Sequence, residues 1–228
     1  MLNSYLQRAD VTKTVDSGLH REVVGGMWDE IGALQLSVLK TQGLMPQERL
    51  LDIGCGSLRG GVHFVGYLQP GNYFGLDLHQ ELLDAGYEKE LADPALRARL
   101  PRTNLIADEN FDFSRFGETF DRALAFSLFT HVPINSIRVC LEQLTKVMKP
   151  GGVLHATFFE LPSNSPTGVS VQHEPGGIIT RGDSDPYHYR VSDFSFAIAD
   201  LPWAVEYVGA IDHPRAQRLV NLNRLEDR

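Results

Sequence analysis

Three acidic residues, each placed where a short apolar run stops, are the first in this chain whose spacing suggests chemistry. Asp52 sits in Leu50-Leu51-Asp52-Ile53, just ahead of the bend Gly54-Cys55-Gly56. Asp77 closes Tyr73-Phe74-Gly75-Leu76, and Asp108 closes Asn104-Leu105-Ile106-Ala107. Gly54 and Gly56 lack Cβ atoms, so the chain can turn sharply and a ligand can approach its backbone. Ligands of open α/β sheets bind beyond the carboxyl ends of the strands, where all three acids fall. A carboxylate at 77 can accept two hydrogen bonds from ribose hydroxyls. One at 108 could receive an adenine amino proton, with Glu109 and Asp112 as nearby alternatives. The dinucleotide pattern G-x-G-x-x-G would need glycine at 59, where the chain has Arg59. Asp52 would repel a pyrophosphate, but could attract an amino group or hold the N–H donors of the bend. The set points to a ligand without a diphosphate.

Those acids need strands and helices to hold them. Val24, Trp28, Ile31, Leu34, Val38 and Leu39 recur at helical spacing and predict a helix over 27–41, stopped by Gly43 and Pro46. Residues 49–53, 73–76, 104–107, 120–126 and 153–159 read as strands, with helices at 60–68, 81–91 and 134–148. In the last helix Ile137, Leu141, Leu144 and Met148 form the stripe, and Pro133 suits the first turn. Glu142 and Lys146 make an i,i+4 pair there, and Lys149-Pro150-Gly151-Gly152 is the stop. Alternation over 49–160 is built most simply as a parallel sheet with helices on both faces. Residues 161–185, rich in Pro, Gly and Ser, lack a periodic apolar signal and read as a lid or binding loop. A short helix at 191–200 and strands at 204–211 and 217–223 follow. The first twenty residues are weakly patterned and read as a loose arm. No domain boundary is marked. The expectation is one domain over 1–228, with a helical cap at about 1–45 and a substrate loop at about 161–190.

These residues resemble the class I family of methyltransferases that use S-adenosylmethionine (SAM). Leu51-Asp52-Ile53-Gly54-Cys55-Gly56 resembles its first motif and Gly75-Leu76-Asp77 its second. Asp108 resembles the adenine-side acid, and Lys149-Pro150-Gly151-Gly152 the turn before the fifth strand. Residues 126–132, with His131, resemble the segment beside the methionine part of SAM. Ser57-Leu58-Arg59-Gly60-Gly61 departs from the commoner glycine spacing and is similar to a variant of a bacterial subgroup. The likeness covers about residues 49–160. It implies an α/β fold: a doubly wound, mostly parallel seven-stranded sheet with an antiparallel last strand, the Rossmann-like methyltransferase fold. It implies SAM as cofactor, with Asp52, Gly54 and Gly56 around the amino-acid moiety, Asp77 at the ribose and Asp108 at the adenine. Cys55 and Leu78, on the same turns, and Phe126 and Ser127, in the segment beside the methionine part, join that set. Arg59 reads as a helix-start residue paired with a local carboxylate, or as a further cofactor or substrate contact. Cys55 reads as a small buried filler rather than a nucleophile. Trp28 either packs the first helix on the sheet or covers the sulfonium with its ring face.

The sulfonium methyl implied by that cofactor is already electrophilic, so the protein's main task is alignment, which can contribute ~7–11 kcal/mol. A hydroxyl nucleophile also needs a base within reach. His131, Glu160, His188 and His213 form the pool, while His155 falls inside a strand and reads as structural. The expected acceptor is a small molecule, with a sugar or other secondary-metabolite hydroxyl preferred, enclosed by 161–190 and the N-terminal helix.

Composition bounds the alternatives. The chain has 228 residues, 43% of them hydrophobic, and a formal net charge of −8. Acidic charge argues against a broad grip on nucleic acid or an anionic membrane. Ser127-Leu128-Phe129 does not resemble the Asn/Asp-Pro-Pro-Tyr motif of enzymes that methylate nucleic-acid amino groups. Two distant cysteines argue against a disulfide framework or structural zinc, and the carboxylates form no tight metal motif. The N-terminus lacks the apolar core of a signal peptide and no run approaches membrane-spanning length, so a cytoplasmic protein is expected, monomer or homodimer. The competing readings are a non-catalytic SAM-binding module and a NAD-dependent oxidoreductase. An aminopropyl transferase would share the sheet, but no acidic pocket pattern points there.

Overall fold

A computed structural model describes residues 8–166 and 168–226 of the chain. Thr167 of the expected substrate loop and residues 1–7 of the expected cap lie outside the described residues. The chain divides into two compact units, Met1–Gly117 and Glu118–Arg228.

In the first unit, β1 (Leu50–Ile53), β2 (Tyr73–Asp77) and β3 (Leu105–Ala107) are parallel, in the order β3-β2-β1. All residues of β1 and β2 are buried, as expected of parallel strands covered on both faces. The register sets Asp52 opposite Gly75 and Asp77 opposite Ala107, so the acids fall at neighbouring strand ends. Among the described residues, 8–20 are not a loose arm. They form α1 (Arg8–Asp16) and begin α2 (His20–Val23). Val11 and Val15, one helical turn apart, bury against Leu82 and Ala85 of α5 (Gln80–Ala85). Next come α3 (Trp28–Thr41), one residue short of the expected start, and α4 (Gly61–Tyr67). The expected helix over 81–91 is α5 followed by a π turn at Gly86–Glu90. Gly86 explains the tight approach there: a Cβ on it would sit 2.7 Å from the Ser57 backbone. A short α6 (Pro94–Arg97), capped by Asp93, leads towards β3.

In the second unit, β4 (Phe120–Ala125) runs parallel to β5 (Met148–Glu160). Between them lies α7 (Ile134–Thr145), which buries Ile137, Leu141 and Leu144 as its stripe requires. The helix ends three residues earlier than expected, because Met148 already pairs with Phe120. Lys149-Pro150-Gly151-Gly152 is therefore an irregularity inside β5, between the pairs Phe120–Met148 and Arg122–Val153. Glu142 pairs with Arg138 rather than Lys146. The expected loop carries structure: a hairpin of β6 (Val171–His173) and β7 (Ile178–Thr180), then β8 (His188–Tyr189) parallel to β5. After α8 (Val191–Ala197) come β9 (Trp203–Ala210) and β10 (Arg218–Arg224). The last strand, β10, is antiparallel to both β5 and β9. Among the described residues, no helix is long and apolar enough to cross a membrane.

Candidate functional site

The bend after β1 is held by β2. Gly54 and Gly56 take positive φ, 75° and 56°, the left-handed region that favours glycine. The N–H groups of Gly54 and Cys55 both donate to the Leu76 carbonyl, at 2.7 and 3.1 Å. The Gly56 N–H donates to Asp77 Oδ2 at 2.8 Å, and the His79 N–H to Asp77 Oδ1 at 3.0 Å. Asp77, 1% exposed, thus clasps the bend to the end of its own strand. Leu78, beside it, is half-buried.

Asp52 does not hold the bend's donors, as the sequence had allowed. It accepts the Tyr73 hydroxyl at 2.8 Å. Burial pushes its carboxyl up to about 7; the Tyr73 bond and the Arg59 charge oppose this, and the Asp77 charge adds to it. Cys55 is buried, and burial first, then the charges of Asp52 and Asp77, push its thiol well up. That fits the filler reading, because a low-pKa, accessible thiolate is what makes a cysteine reactive. Asp108 caps its own turn: Oδ1 accepts the N–H groups of Asn110 and Asp112 at 2.8 and 3.0 Å, and Oδ2 takes the Arg115 guanidinium at 3.0 Å. Burial pushes this carboxyl up, but the three donors outweigh it and hold it below the ordinary value. The nearby Asp112 takes the Ser114 hydroxyl.

The chain ahead of α3 lies over the bend. A Cβ on Gly56 would sit 2.5 Å from Val24 Cγ1, so the glycine is required by close approach as well as by φ. Arg59 donates to the Val24 and Gly26 carbonyls at 2.8 and 2.9 Å, fastening this strap instead of pairing only with a carboxylate. His20 and Arg21 both meet Glu90, at 2.5 and 2.6 Å. Burial raises the Glu90 carboxyl, yet the Arg21 and His20 bonds bring it below its usual value. The Trp28 ring carries the Arg21 guanidinium on its face, 4.7 Å from the centroid, and His20 at its edge. The ring face that the sequence reading offered to a sulfonium holds a guanidinium here.

The second unit presents the other expected residues at the carboxyl ends of β4 and β5. Ser127, just past β4, has φ 60°, an uncommon conformation for a residue with a Cβ. It is held by Thr157 Oγ1, which accepts its N–H at 2.7 Å, and by Gln217 Oε1, which accepts its hydroxyl at 3.1 Å. Phe126 lies against the His213 ring, with centroids 5.3 Å apart. His213 Nδ1 accepts the Arg215 N–H at 3.0 Å. His131 is exposed and paired with Asp185 at 2.6 Å. Glu160 accepts the Tyr207 hydroxyl at 2.6 Å and faces Arg218 at 3.8 Å. Burial, then the Glu160 bond and charge, push that hydroxyl up to about 12. His155 is structural: burial brings it down to about 4, and its Nδ1 is bonded to Asn221 at 2.7 Å.

Sequence reasoning missed Tyr73, Val24, His79 and Gly86 around the bend, and Thr157 and Gln217 behind Ser127. The Tyr73 apolar run, the place of Val24 in a helical stripe and the Gly86 break in another were the available signals. The rest act through backbone or across long separations. Among the described residues, no group of three or more His, Cys, Asp or Glu side chains fits a metal ion.

The bend, its acids and the turn in β5 lie within a match to a known family. Residues 51–154 match the family model of the methyltransferase domain. The chain is similar in fold to magnesium protoporphyrin IX methyltransferase from Synechocystis PCC 6803 with bound SAH. The identity is 14% and the TM-score 0.64, over 97% of this chain and 100% of that one. It is similar also to a SAM-bound amino pentose methyltransferase from Micromonospora echinaspora, at 19% identity and TM-score 0.60, over 88% of this chain and 92% of that one. A glycopeptide N-methyltransferase complexed with SAH gives 16% and 0.62, over 85% and 90%. The expected mostly parallel, Rossmann-like methyltransferase fold is the one these structures share. Residues 51–154 thus match a methyltransferase domain, on a fold shared with these SAM-dependent methyltransferases.

Proposed function

We propose that this protein moves a methyl group from SAM to a small-molecule acceptor, and that the acceptor atom is a hydroxyl oxygen. The single observation that carries the cofactor assignment is the clasp of Asp77 on the Gly56 N–H at the end of two neighbouring parallel strands. The residues fit the cofactor. Gly56 leaves the bend's backbone without a side chain, Asp77 is a buried acceptor of the kind ribose hydroxyls need, and Asp108, one strand further, would face the adenine. Asp52, Gly54 and Cys55 would lie by the amino-acid moiety, with Leu78 beside the ribose, and Phe126 and Ser127 beside the methionine part of the cofactor. Arg59 acts through the strap that it fastens, and Trp28 through its packing with Arg21.

SAM, when bound, supplies a methyl group on a sulfonium. The chain's own residues supply placement and proton handling. Ser127, strained and held from two sides, fixes the segment after β4. Rigid placement of this kind is where most of the rate of a methyl transfer can come from. His131, Glu160, His188 and His213 remain the base candidates, and all four lie at or near the carboxyl end of β5 or in the segments around it. Acidic net charge and the sugar, peptide and porphyrin enzymes among the similar folds support a small-molecule acceptor. The match to a methyltransferase domain, with Arg59 where a dinucleotide turn needs glycine, weighs against the oxidoreductase reading.

Isothermal titration with SAM, SAH and NAD tests the cofactor, and transfer of labelled methyl to a panel of hydroxyl and amine compounds tests the acceptor. SAM affinity with label on hydroxyl oxygen is expected. Binding without transfer to any compound would favour a SAM-binding module, and label on nitrogen alone would overturn the hydroxyl assignment.

A further inference from the structure

The segment between β5 and α8 brings together three side chains that the cofactor motifs do not use. His173 Nε2 lies 2.8 Å from Thr180 Oγ1, and the same oxygen lies 2.8 Å from His188 Nδ1. Pairing of β8 with β5 sets His188 opposite Phe159, at the carboxyl end of β5, the edge where α/β sheets present reacting groups. His188 is only 3% exposed, and its Nε2 is buried without a hydrogen-bond partner among the described residues. A buried polar atom left without a partner calls for an explanation.

The chain of bonds restricts where His188 keeps its proton. A hydroxyl has one hydrogen to give and two lone pairs to receive. When Thr180 donates to His173, His188 must donate from Nδ1, and its Nε2 carries a bare lone pair. When Thr180 donates to the Val171 carbonyl, 3.4 Å away, both rings donate to it and the outcome at Nε2 is the same. Only donation to His188 puts the proton on Nε2, and that leaves a buried N–H with no acceptor, the costly arrangement of the three.

We propose that His188 takes the proton of the acceptor hydroxyl, and that Thr180 and His173 are positioning residues that hold its ring in the Nδ1–H form. The proposal rests on the O-methyl transfer reading above. As the O–CH3 bond forms, the S–CH3 bond breaks with its electron pair staying on sulfur. The hydroxyl proton passes to His188 Nε2 and is handed on to solvent as the methylated product leaves. The other candidates are worse placed. His131 is exposed and paired with Asp185, and Glu160 is taken up by Tyr207 and Arg218. His213 accepts at Nδ1, so its neutral ring carries hydrogen on Nε2 and cannot receive a proton there. Burial first, then the Arg190 charge, lowers the His188 value against Asp193; burial, His188 and Arg218 lower that of His173. Both rings are therefore neutral at pH 7, as a proton acceptor must be.

Long-range 1H–15N spectra of the 15N-labelled full chain read the tautomer of each histidine. His188 is expected as Nδ1–H in the wild type, with a mixture in Thr180→Val and recovery in Thr180→Ser. For whichever hydroxyl compound the panel shows to be methylated, His188→Asn is expected to lower kcat at least 100-fold, with SAM affinity by titration within twofold of wild type. Thr180→Val should lower kcat with KM unchanged, and Thr180→Ser should restore it. An Nε2–H tautomer in the wild type, or full turnover by His188→Asn, would overturn the proposal while leaving the SAM reading standing. Absence of SAM binding by the wild type would instead sink the functional reading on which it rests.

Discussion

Replacing Asp52 by Asn should make the protein more stable and a poorer ligand-binder, and the gain should depend on pH. The Asp52 carboxyl ionises at an ordinary value of 3.8 when exposed and at about 7 in the folded chain. As pH rises from 3.8, the unfolded chain therefore loses this proton while the folded chain keeps it. Ionisation favours the unfolded state across that window. The stability contributed by the group is complete below 3.8, falls as pH rises to about 7, and is constant above. Each tenfold change in an ionisation constant is about 1.4 kcal/mol, so the gap is worth about 4 kcal/mol. Asn has a similar shape, can still accept the Tyr73 hydroxyl, and does not ionise. Urea unfolding of both proteins from pH 4.5 to 8 gives the comparison. The Asp52→Asn variant should gain little near pH 4.5 and up to about 4 kcal/mol at pH 8, with at least a tenfold loss of SAM affinity. An offset that is the same at every pH would refute the assignment of the cost to a buried ionising acid. A gain without loss of affinity would remove Asp52 from the cofactor site.

Asp77→Asn keeps one acceptor oxygen but sets an amide NH2 against a backbone N–H. Loss of a charge-assisted bond, about 1.5–3 kcal/mol, should weaken SAM binding about 10- to 150-fold by titration calorimetry. Gly56→Ala puts a Cβ 2.5 Å from Val24 at φ 56° and should lower stability by roughly 1–3 kcal/mol in thermal melts, with partial rescue by Val24→Ala. His155, neutral until about pH 4 when folded and 6.5 otherwise, contributes stability at pH 7 that is lost as pH falls through that window, roughly 3 kcal/mol in all. His155→Gln should flatten that limb of the urea-derived profile. Removal of residues 163–183 should abolish methyl transfer in the radiolabel assay while sparing much of the SAM affinity.

The alternation of strands and helices was readable because buried parallel strands are short apolar runs that stop at acids and glycines. Asp77 and Asp108 announced themselves in this way. Their roles were less visible: Asp77 clasps the bend through backbone N–H groups, which no side-chain pattern encodes. The α1 helix was hidden because its buried stripe is only Val11 and Val15, too short for periodicity to register. The β6–β7 hairpin was hidden for a similar reason, since three-residue strands cannot show alternation. Its Glu174-Pro175-Gly176-Gly177 turn was the available cue. His188 could be named from its place beside a loop. Its coupling to His173 and Thr180 could not, because seven- and eight-residue separations on three different strands become neighbours only after folding.

The strap over the bend has a kinetic consequence. Val24 rests where a ligand of Gly56 must arrive, and the segment is pinned by Arg59 at one end and by the Arg21–Glu90 ion pair at the other. Entry and exit at Gly56 would then both wait on the same loop motion, so affinity could stay constant while the two rates rise or fall together. Because the Arg21 side chain is half in water, added salt should loosen that fastening and speed both rates.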